Sequence, residues 1–331
     1  MPAVGDIRNR LMALADPGFQ GNTAVMDLFA HRLPPAQTRG ELLTMFMDMV
    51  QGTHPLVRAV PEPSRRIICR HLHLFAQYMP REFDLTGASI GNIVLAAGYL
   101  ENNRDLDAII SLYAQLAAVR GMVRPVVQGN YHLGAYLADG QRIVGQHLLT
   151  GKQTTQILSP ISSLFLTSDP EGNAPCPVYA DPQVIDLISQ ADLICYPMGS
   201  FFTSLLANLL PQGVTAGIEQ AACPKVFVPN TYPDPECLGM TLQDQVQWVI
   251  DLTRKNCAGH GLNFILVDTC LDRYAGPVDA QRFRSLEVEM VAAPLVSAQS
   301  APAIDPLRLI QALFALITNW GDRKLNKDTG A

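Results

Sequence analysis

The stretch ADLICYPMGSFFTSLLANLL, residues 191–210, decides the fold. An apolar run ends at Tyr196. Gly199 and Ser200 follow, and then a second apolar segment with Thr203, Ser204 and Asn208 set into it. A run that is apolar at every position, joined at once to a helical pattern, is the unit of a sheet covered by helices. The same unit recurs on both sides of this stretch. ISSLFLT (161–167), PKVFVPN (224–230), NFILVDT (263–269) and LEVEMVAA (286–293) are short strand-like runs. Helical patterns over 182–190, 200–209, 242–256 and 306–319 separate them. The expectation is an α/β, Rossmann-like fold: a largely parallel sheet with helices on both faces.

Upstream the period changes. YHLGAYLADGQRIVGQHLL (131–149) alternates about Asp139-Gly140, a dipeptide that tolerates positive φ at both turn positions and so marks a β-hairpin. Before it, residues 6–120 read as mostly helical. ELLTMFMDMV (41–50), SRRIICRHLHLFAQYM (64–79), SIGNIVLAAGYL (89–100) and LDAIISLYAQLAAV (106–119) all carry helical spacing. His71 and His73 stand two apart on one of these helices. They face different directions, make a poor metal pair, and read as solvated beside Arg65, Arg66 and Arg70.

Composition narrows the function classes. The chain has 331 residues, 48% of them apolar, a net charge of −6 and only 16% charged residues. That balance argues against a nucleic-acid surface held by bulk charge. No apolar run approaches the ~18 residues of a membrane span, and the start MPAVGDIRNR lacks the order of a signal peptide. Seven scattered cysteines, odd in number and without paired spacing, read as free thiols in a reducing cytoplasm.

In open α/β sheets ligands sit beyond the carboxyl ends of the strands, where residues 197–204 would lie. A helix starting near Ser200 would aim free N–H groups outward, Gly199 would let a ligand approach the backbone, and Ser200, Thr203 and Ser204 would add hydroxyls. Such a place suits a phosphate or diphosphate. The same residues also make an ordinary strand-to-helix turn with a serine cap. Two more segments have this character. GDIRNRLMALA (5–15) sets Asp6, Arg8, Asn9 and Arg10 at a helix start, and GASIGNIVLAAGYL (87–100) sets Ser89, Gly91 and Asn92 before an apolar helix. Asn230 ends PKVFVPN. The expectation is that these clusters converge on one ligand.

These segments, in this order, resemble the superfamily of 2-phospho-L-lactate transferase (CofD) and the YvcK gluconeogenesis factors, nearest to the branch called GAK-system CofD-like proteins. GDIRNRLMALA is similar to that superfamily's Gly-Asp-Ile-Arg-Asn helix. GASIGNIVLAA resembles its Gly-His-Ser-Leu-Gly-Asn helix, with Ala88 in place of histidine. ADLICYPMGSFFTSLLANLL resembles its Gly-Pro-Gly-Ser-x-x-Thr-Ser segment, with Pro197 and Met198 replacing the first two residues. PKVFVPN and LQDQVQ (242–247) follow in register. The resemblance covers about residues 1–256 and implies one CofD-like domain, with 37–80 a helical insertion and 257–331 a C-terminal extension. It lacks the family's opening strand, glycine-rich loop and acidic segment, and the expectation is that the natural protein continues upstream of Met1.

The resemblance implies a transferase that binds a guanosine or uridine diphosphate-linked donor and passes a phospholactyl-type group to an alcohol acceptor, as in deazaflavin coenzyme biosynthesis, with magnesium. The alternative it carries is a nucleotide-sugar-binding regulator without catalysis. By position, Gly199, Ser200 and Thr203 would hold the diphosphate, with Asn208 and Asn230 beside them. Ser89, Gly91 and Asn92 would line the nucleotide, while Asp6, Arg8 and Asn9 would meet acceptor and phosphate. No nucleic acid or membrane partner is expected, and a homodimer is the assembly considered.

Overall fold

The computed structural model describes residues 4–149, 157–169, 171, 174–254 and 261–328, the last seven of these by backbone alone. The chain divides into two compact units, Met1–Gln128 and Gly129–Ala331.

The first unit is helical: α1 (Val4–Ala13), α2 (Asn22–Ala30), α3 (Arg39–Val50), α4 (Pro55–Ala59), α5 (Ser64–Tyr78), α6 (Ile90–Glu101) and α7 (Leu106–Leu116). Its centre is α6, in which Ile93, Val94, Leu95, Ala96 and Ala97 are all buried. A helix apolar on every side must be enclosed by others. Gly98 sets the distance to α7, because a Cβ there would lie 2.1 Å from Ile109 Cδ1. Local signals place the ends. Thr38 and Glu41 form a capping box at α3, and Asp105 caps α7. Residues 37–80, read from the sequence as an insertion, form α3–α5. Their Phe46, Met49, Val57, Ile68 and Leu72 belong to the same core as Val94 and Tyr113.

His71 corrects one expectation. It is buried, at 3% exposure, rather than solvated. Its Nε2 lies 3.3 Å from Glu101 Oε2, and Arg70 pairs with the other oxygen of that carboxylate. Position 71 sits on the inner side of the strongly amphipathic α5, and the basic residues beside it in sequence occupy the outer side. Burial, more than the opposing pull of Glu101, holds the imidazole below its ordinary value of 6.5. His31 is shifted the same way by burial and by His54. A depressed folded-state pKa means the folded chain binds fewer protons than the unfolded chain. Stability from these groups is therefore present above about 6.5 and lost as pH falls, by at most ~1.4 kcal/mol per pH unit per group. Melting temperature measured from pH 7.5 to 5 should fall, and more steeply in the wild type than in His71→Gln. Equal slopes would remove His71 from this account.

The second unit holds two sheets. In the first, β1 (His132–Leu137), β2 (Arg142–Val144) and β3 (Ile161–Thr167) run antiparallel in the order β2-β1-β3, and a short helix α8 (Gln146–Leu149) follows β2. The hairpin turns at Asp139-Gly140, but only Gly140, at φ +86°, takes positive φ; Asp139 does not. The run ISSLFLT, grouped by sequence with the parallel strands, instead pairs with β1. Ser162 and Ser163 are exposed, so this strand is not enclosed on both faces as a parallel strand must be.

The second sheet is parallel, in the order β4 (Ile194–Tyr196), β5 (Lys225–Phe227), β6 (Phe264–Asp268) and β7 (Glu289–Ala293). The flanking helices are α9 (Pro182–Ser189), α10 (Val214–Gln220), α11 (Leu242–Arg254), α12 (Ala280–Ser285) and α13 (Pro306–Asp328). Every residue of β5 and β6 is buried. On one face Val226, Val228, Phe264 and Leu266 pack against Leu309, Leu313, Leu316 and Trp320 of α13. Phe227, between two of them in sequence, points the other way and meets Phe201, with ring centroids 6.0 Å apart. Residues 257–331, read as an extension, thus supply two of the four parallel strands. The Rossmann-like expectation holds. Among the described residues no helix is long and apolar enough to cross a membrane, and the six described cysteines are unbridged; Cys257 lies outside the described residues.

Candidate functional site

In the first unit the structure brings together the residues singled out at the starts of two helices. Asp6 stands exposed in the first turn of α1, where a carboxylate complements the positive helix end. Arg8, two residues on and so on another face of the helix, is 92% buried. Its Nη1 donates to the Ser89 hydroxyl in a short hydrogen bond, and its Nη2 donates to Asn9 Oδ1 at 2.6 Å. Ser89 is the N-cap of α6, accepting from the Asn92 N–H at 3.4 Å. Gly91 lets α6 approach: a Cβ there would lie 2.7 Å from the Phe29 carbonyl, 2.8 Å from Arg8 Cδ and 2.8 Å from the Tyr113 hydroxyl.

The electrostatics of this cluster are one-sided. Arg8 has no ion-pair carboxylate among the described residues. Burial, and then the like charge of Arg32, lowers its pKa. A guanidinium nevertheless stays charged. Arg32 itself donates to the Gly87 carbonyl at 3.0 Å, beside the same helix start. Two buried polar atoms nearby, Asn92 Oδ1 and the Tyr113 hydroxyl, have no hydrogen-bond partner. Two arginines and a helix N-terminus therefore converge where only neutral oxygens answer them. A buried cation so arranged carries a desolvation cost of several kcal/mol that an incoming anion would offset.

In the second unit, Gly199 turns the chain after β4 at φ +144°, with nothing within 4 Å of where a Cβ would stand. Asn230, at the carboxyl end of β5, clamps this turn from both sides. Its Oδ1 accepts from the Gly199 N–H at 3.1 Å, and its Nδ2 donates to the Gly199 carbonyl at 2.7 Å. The segment read as a helix over 200–209 is a π-helical turn, Phe201–Leu205, followed by a 3-10 turn, Leu206–Leu209. The wider turn accommodates the buried pair Phe201 and Phe202, with Phe202 edge-on to Trp248. Turns of this type recur at functional sites. Asn208 is exposed and its amide donates to the Ser204 carbonyl at 2.6 Å.

Sequence reasoning missed what occupies the amides of this turn. Asp234 Oδ2 accepts from the Phe201 N–H at 2.8 Å. Glu236 Oε2 accepts from the Phe202 and Thr203 N–H groups, each at 2.9 Å, and its Oε1 accepts from the Thr203 hydroxyl at 2.6 Å. These two carboxylates sit where a bound anion would. Burial pushes the Glu236 carboxyl up, against the pull of its donors. No local pattern in PDPE (233–236) announces this contact, since it joins residues 33 and 34 apart. The Ser200 and Ser204 hydroxyls make no hydrogen bond to a described residue.

Among the described residues no three His, Cys, Asp or Glu side chains gather as a cation site.

These features define a class: an α/β protein in which a buried arginine, and not the strand-end turn already filled by Asp234 and Glu236, offers a place for an anion. The chain belongs to the 2-phospho-L-lactate transferase CofD family, whose model matches residues 1–296. A putative gluconeogenesis factor of Nostoc sp. is 33% identical over 175 residues, 52% of this chain and 35% of that protein. The gluconeogenesis factor of Bacillus subtilis is 32% identical over 175 residues, 53% of this chain and 51% of that protein. The matched region thus spans from about a third to half the length of these relatives. The crystal structure of a UPF0052-family protein from Bacillus halodurans shares the fold, with a TM-score of 0.64 over 95% of this chain and 84% of that one, at 22% identity.

Proposed function

We propose that the protein is a CofD-like transferase that binds a nucleotide diphosphate-linked donor and passes a phospholactyl-type group to an alcohol acceptor. The observation that carries this reading is Arg8: a buried guanidinium, forked between Ser89 and Asn9, with no ion-pair carboxylate among the described residues. Transfer of this kind asks for positioning and charge neutralisation more than covalent work by the protein. The acceptor hydroxyl attacks phosphorus, the new P–O bond forms, and the bond to the departing nucleoside phosphate breaks. Arg8 answers the charge that accumulates on the phosphoryl oxygens. Asp6, exposed on the same helix, takes the hydroxyl proton.

A second reading is supported by the names of the relatives, which are gluconeogenesis factors. In it the chain binds a nucleotide sugar and regulates, with no turnover. Calorimetry with GDP, UDP and a UDP-sugar, followed by assay with a phosphorus-labelled diphosphate donor, separates the two. The transferase reading expects donor-dependent release of nucleoside monophosphate in the presence of an alcohol acceptor. Tight nucleotide-sugar binding with no release would leave the regulator. No binding of any diphosphate would end both.

A further inference from the structure

The inner face of α7 is drawn by Leu106, Ile109, Ile110, Tyr113 and Leu116, at spacings of three and four residues. Tyr113 is the odd member of that row. It is fully buried, at 0% exposure, and its ring lies against Phe29 with centroids 4.2 Å apart. Phenylalanine would fill the same space and make the same ring contact. The hydroxyl is what the packing does not ask for: it is buried and has no hydrogen-bond partner among the described residues. A polar group so placed carries its desolvation penalty with nothing to offset it, and in a folded chain it calls for a reason.

Its surroundings supply one. The Tyr113 hydroxyl and Arg8 Cδ each lie 2.8 Å from the point where a Cβ on Gly91 would stand, so the two atoms are separated by no more than twice that distance. The guanidinium of Arg8 pivots about that Cδ, and any side chain at position 91 would crowd both groups. We propose that Tyr113 is a positioning residue for Arg8, its hydroxyl held as the acceptor for a guanidinium N–H that is displaced when Arg8 grips a phosphate. The inference rests on the reading of Arg8 as the residue that meets the diphosphate.

As the chain stands, the guanidinium spends Nη1 on Ser89 and Nη2 on Asn9. A forked contact to a phosphate takes two parallel N–H groups. In turning to present them, Arg8 releases one of its two acceptors. An N–H stranded in a buried place costs as much as the hydroxyl stranded there now, unless an acceptor is at hand. The Tyr113 oxygen is that acceptor. Two unpaired groups become one pair, so a bond that does nothing for the free protein is realised in the occupied one. Burial, against the weaker pull of Arg8, raises the phenol above its ordinary value of 10. It therefore meets the guanidinium as a neutral hydroxyl. A phenolate would neutralise Arg8 and compete with the phosphate, whereas a neutral oxygen leaves the positive charge to the ligand.

The test is calorimetric titration of the full chain with GDP, UDP and inorganic pyrophosphate, on wild type, Tyr113→Phe, Arg8→Lys and the double variant, with the melting temperature of each. Tyr113→Phe keeps the ring packing and removes a stranded hydroxyl. Its melting temperature should equal or exceed that of the wild type, while its affinity for the ligands that the wild type binds should fall about tenfold. Lysine at position 8 has no fork to form and no inner N–H to displace, so in that background Tyr113→Phe should leave affinity unmoved. A merely structural hydroxyl would lower the melting temperature on removal and act alike in both backgrounds. Unchanged affinity in Tyr113→Phe, an equal loss in both backgrounds, or a lowered melting temperature would each overturn the positioning role and leave the reading of Arg8 standing. Failure of the wild type to bind any of the three ligands would overturn both.

Discussion

Replacing Glu236 with alanine should lower the free energy of unfolding by about 3 kcal/mol. The side chain is 4% exposed and accepts three hydrogen bonds, from the N–H groups of Phe202 and Thr203 and from the Thr203 hydroxyl. Phe202 and Thr203 are themselves buried, so water cannot easily take the carboxylate's place. Each stranded donor costs about 1–3 kcal/mol, and the sum is reduced because the variant no longer desolvates a carboxylate. Glu236→Gln keeps one acceptor oxygen and should fall between alanine and wild type. Denaturant unfolding measures this directly, through the midpoint at constant slope. An alanine variant with the wild-type midpoint would mean that the π-helical turn holds itself without the carboxylate.

The second large effect belongs to Arg8. Arg8→Met should weaken nucleotide diphosphate binding by about 100-fold, the loss expected when a charge-assisted, forked contact to a phosphate disappears. Its effect on the ligand-free protein should be small. Methionine fills much of the same volume and removes an uncompensated buried charge, which offsets the hydrogen bond lost at Ser89. Arg8→Lys keeps the charge but not the planar fork, so it should recover only part of the affinity. Calorimetry with GDP and UDP gives the first quantity, and melting of the ligand-free chain gives the second. A large drop in melting temperature with unchanged affinity would make Arg8 a structural residue and remove the basis of the proposed function.

The two variants probe opposite solutions to one physical problem. Both clusters gather positive ends of the backbone or a positive side chain in a buried place. In the Phe201–Leu205 turn the chain answers with its own carboxylates. At the start of α6 it answers with a hydroxyl and an amide, and leaves the charge over. That difference separates a place already filled from one that can still take an anion.

Much of the architecture was legible along the chain. The runs at 194–196, 225–227 and 264–268, apolar except for Lys225 and Asp268 at strand ends, form the parallel sheet because a strand covered on both faces needs apolar residues on both of them. Asp139-Gly140 gave the hairpin, and helical spacing gave α3, α5, α6 and α7. The family motifs around Arg8, Ser89 and Gly199 were readable in the same way. Less was legible where one residue depends on another far away. ISSLFLT joins the antiparallel sheet because of its partner β1, and α5 turns His71 inward because of the helices around it.

The sequence by itself determined most of the strands and long helices, and that small polar residues precede α6 and follow β4. Those facts depend on near neighbours, through periodicity, caps and turns. Only the tertiary structure decided which of those polar groups remain available. Hydrogen bonding is a matter of distance in space, so it took the folded chain to join Glu236 to Thr203, Asn230 to Gly199 and Arg8 to Ser89 across 31 to 81 positions, and to leave Arg8 without a counter-charge among the described residues.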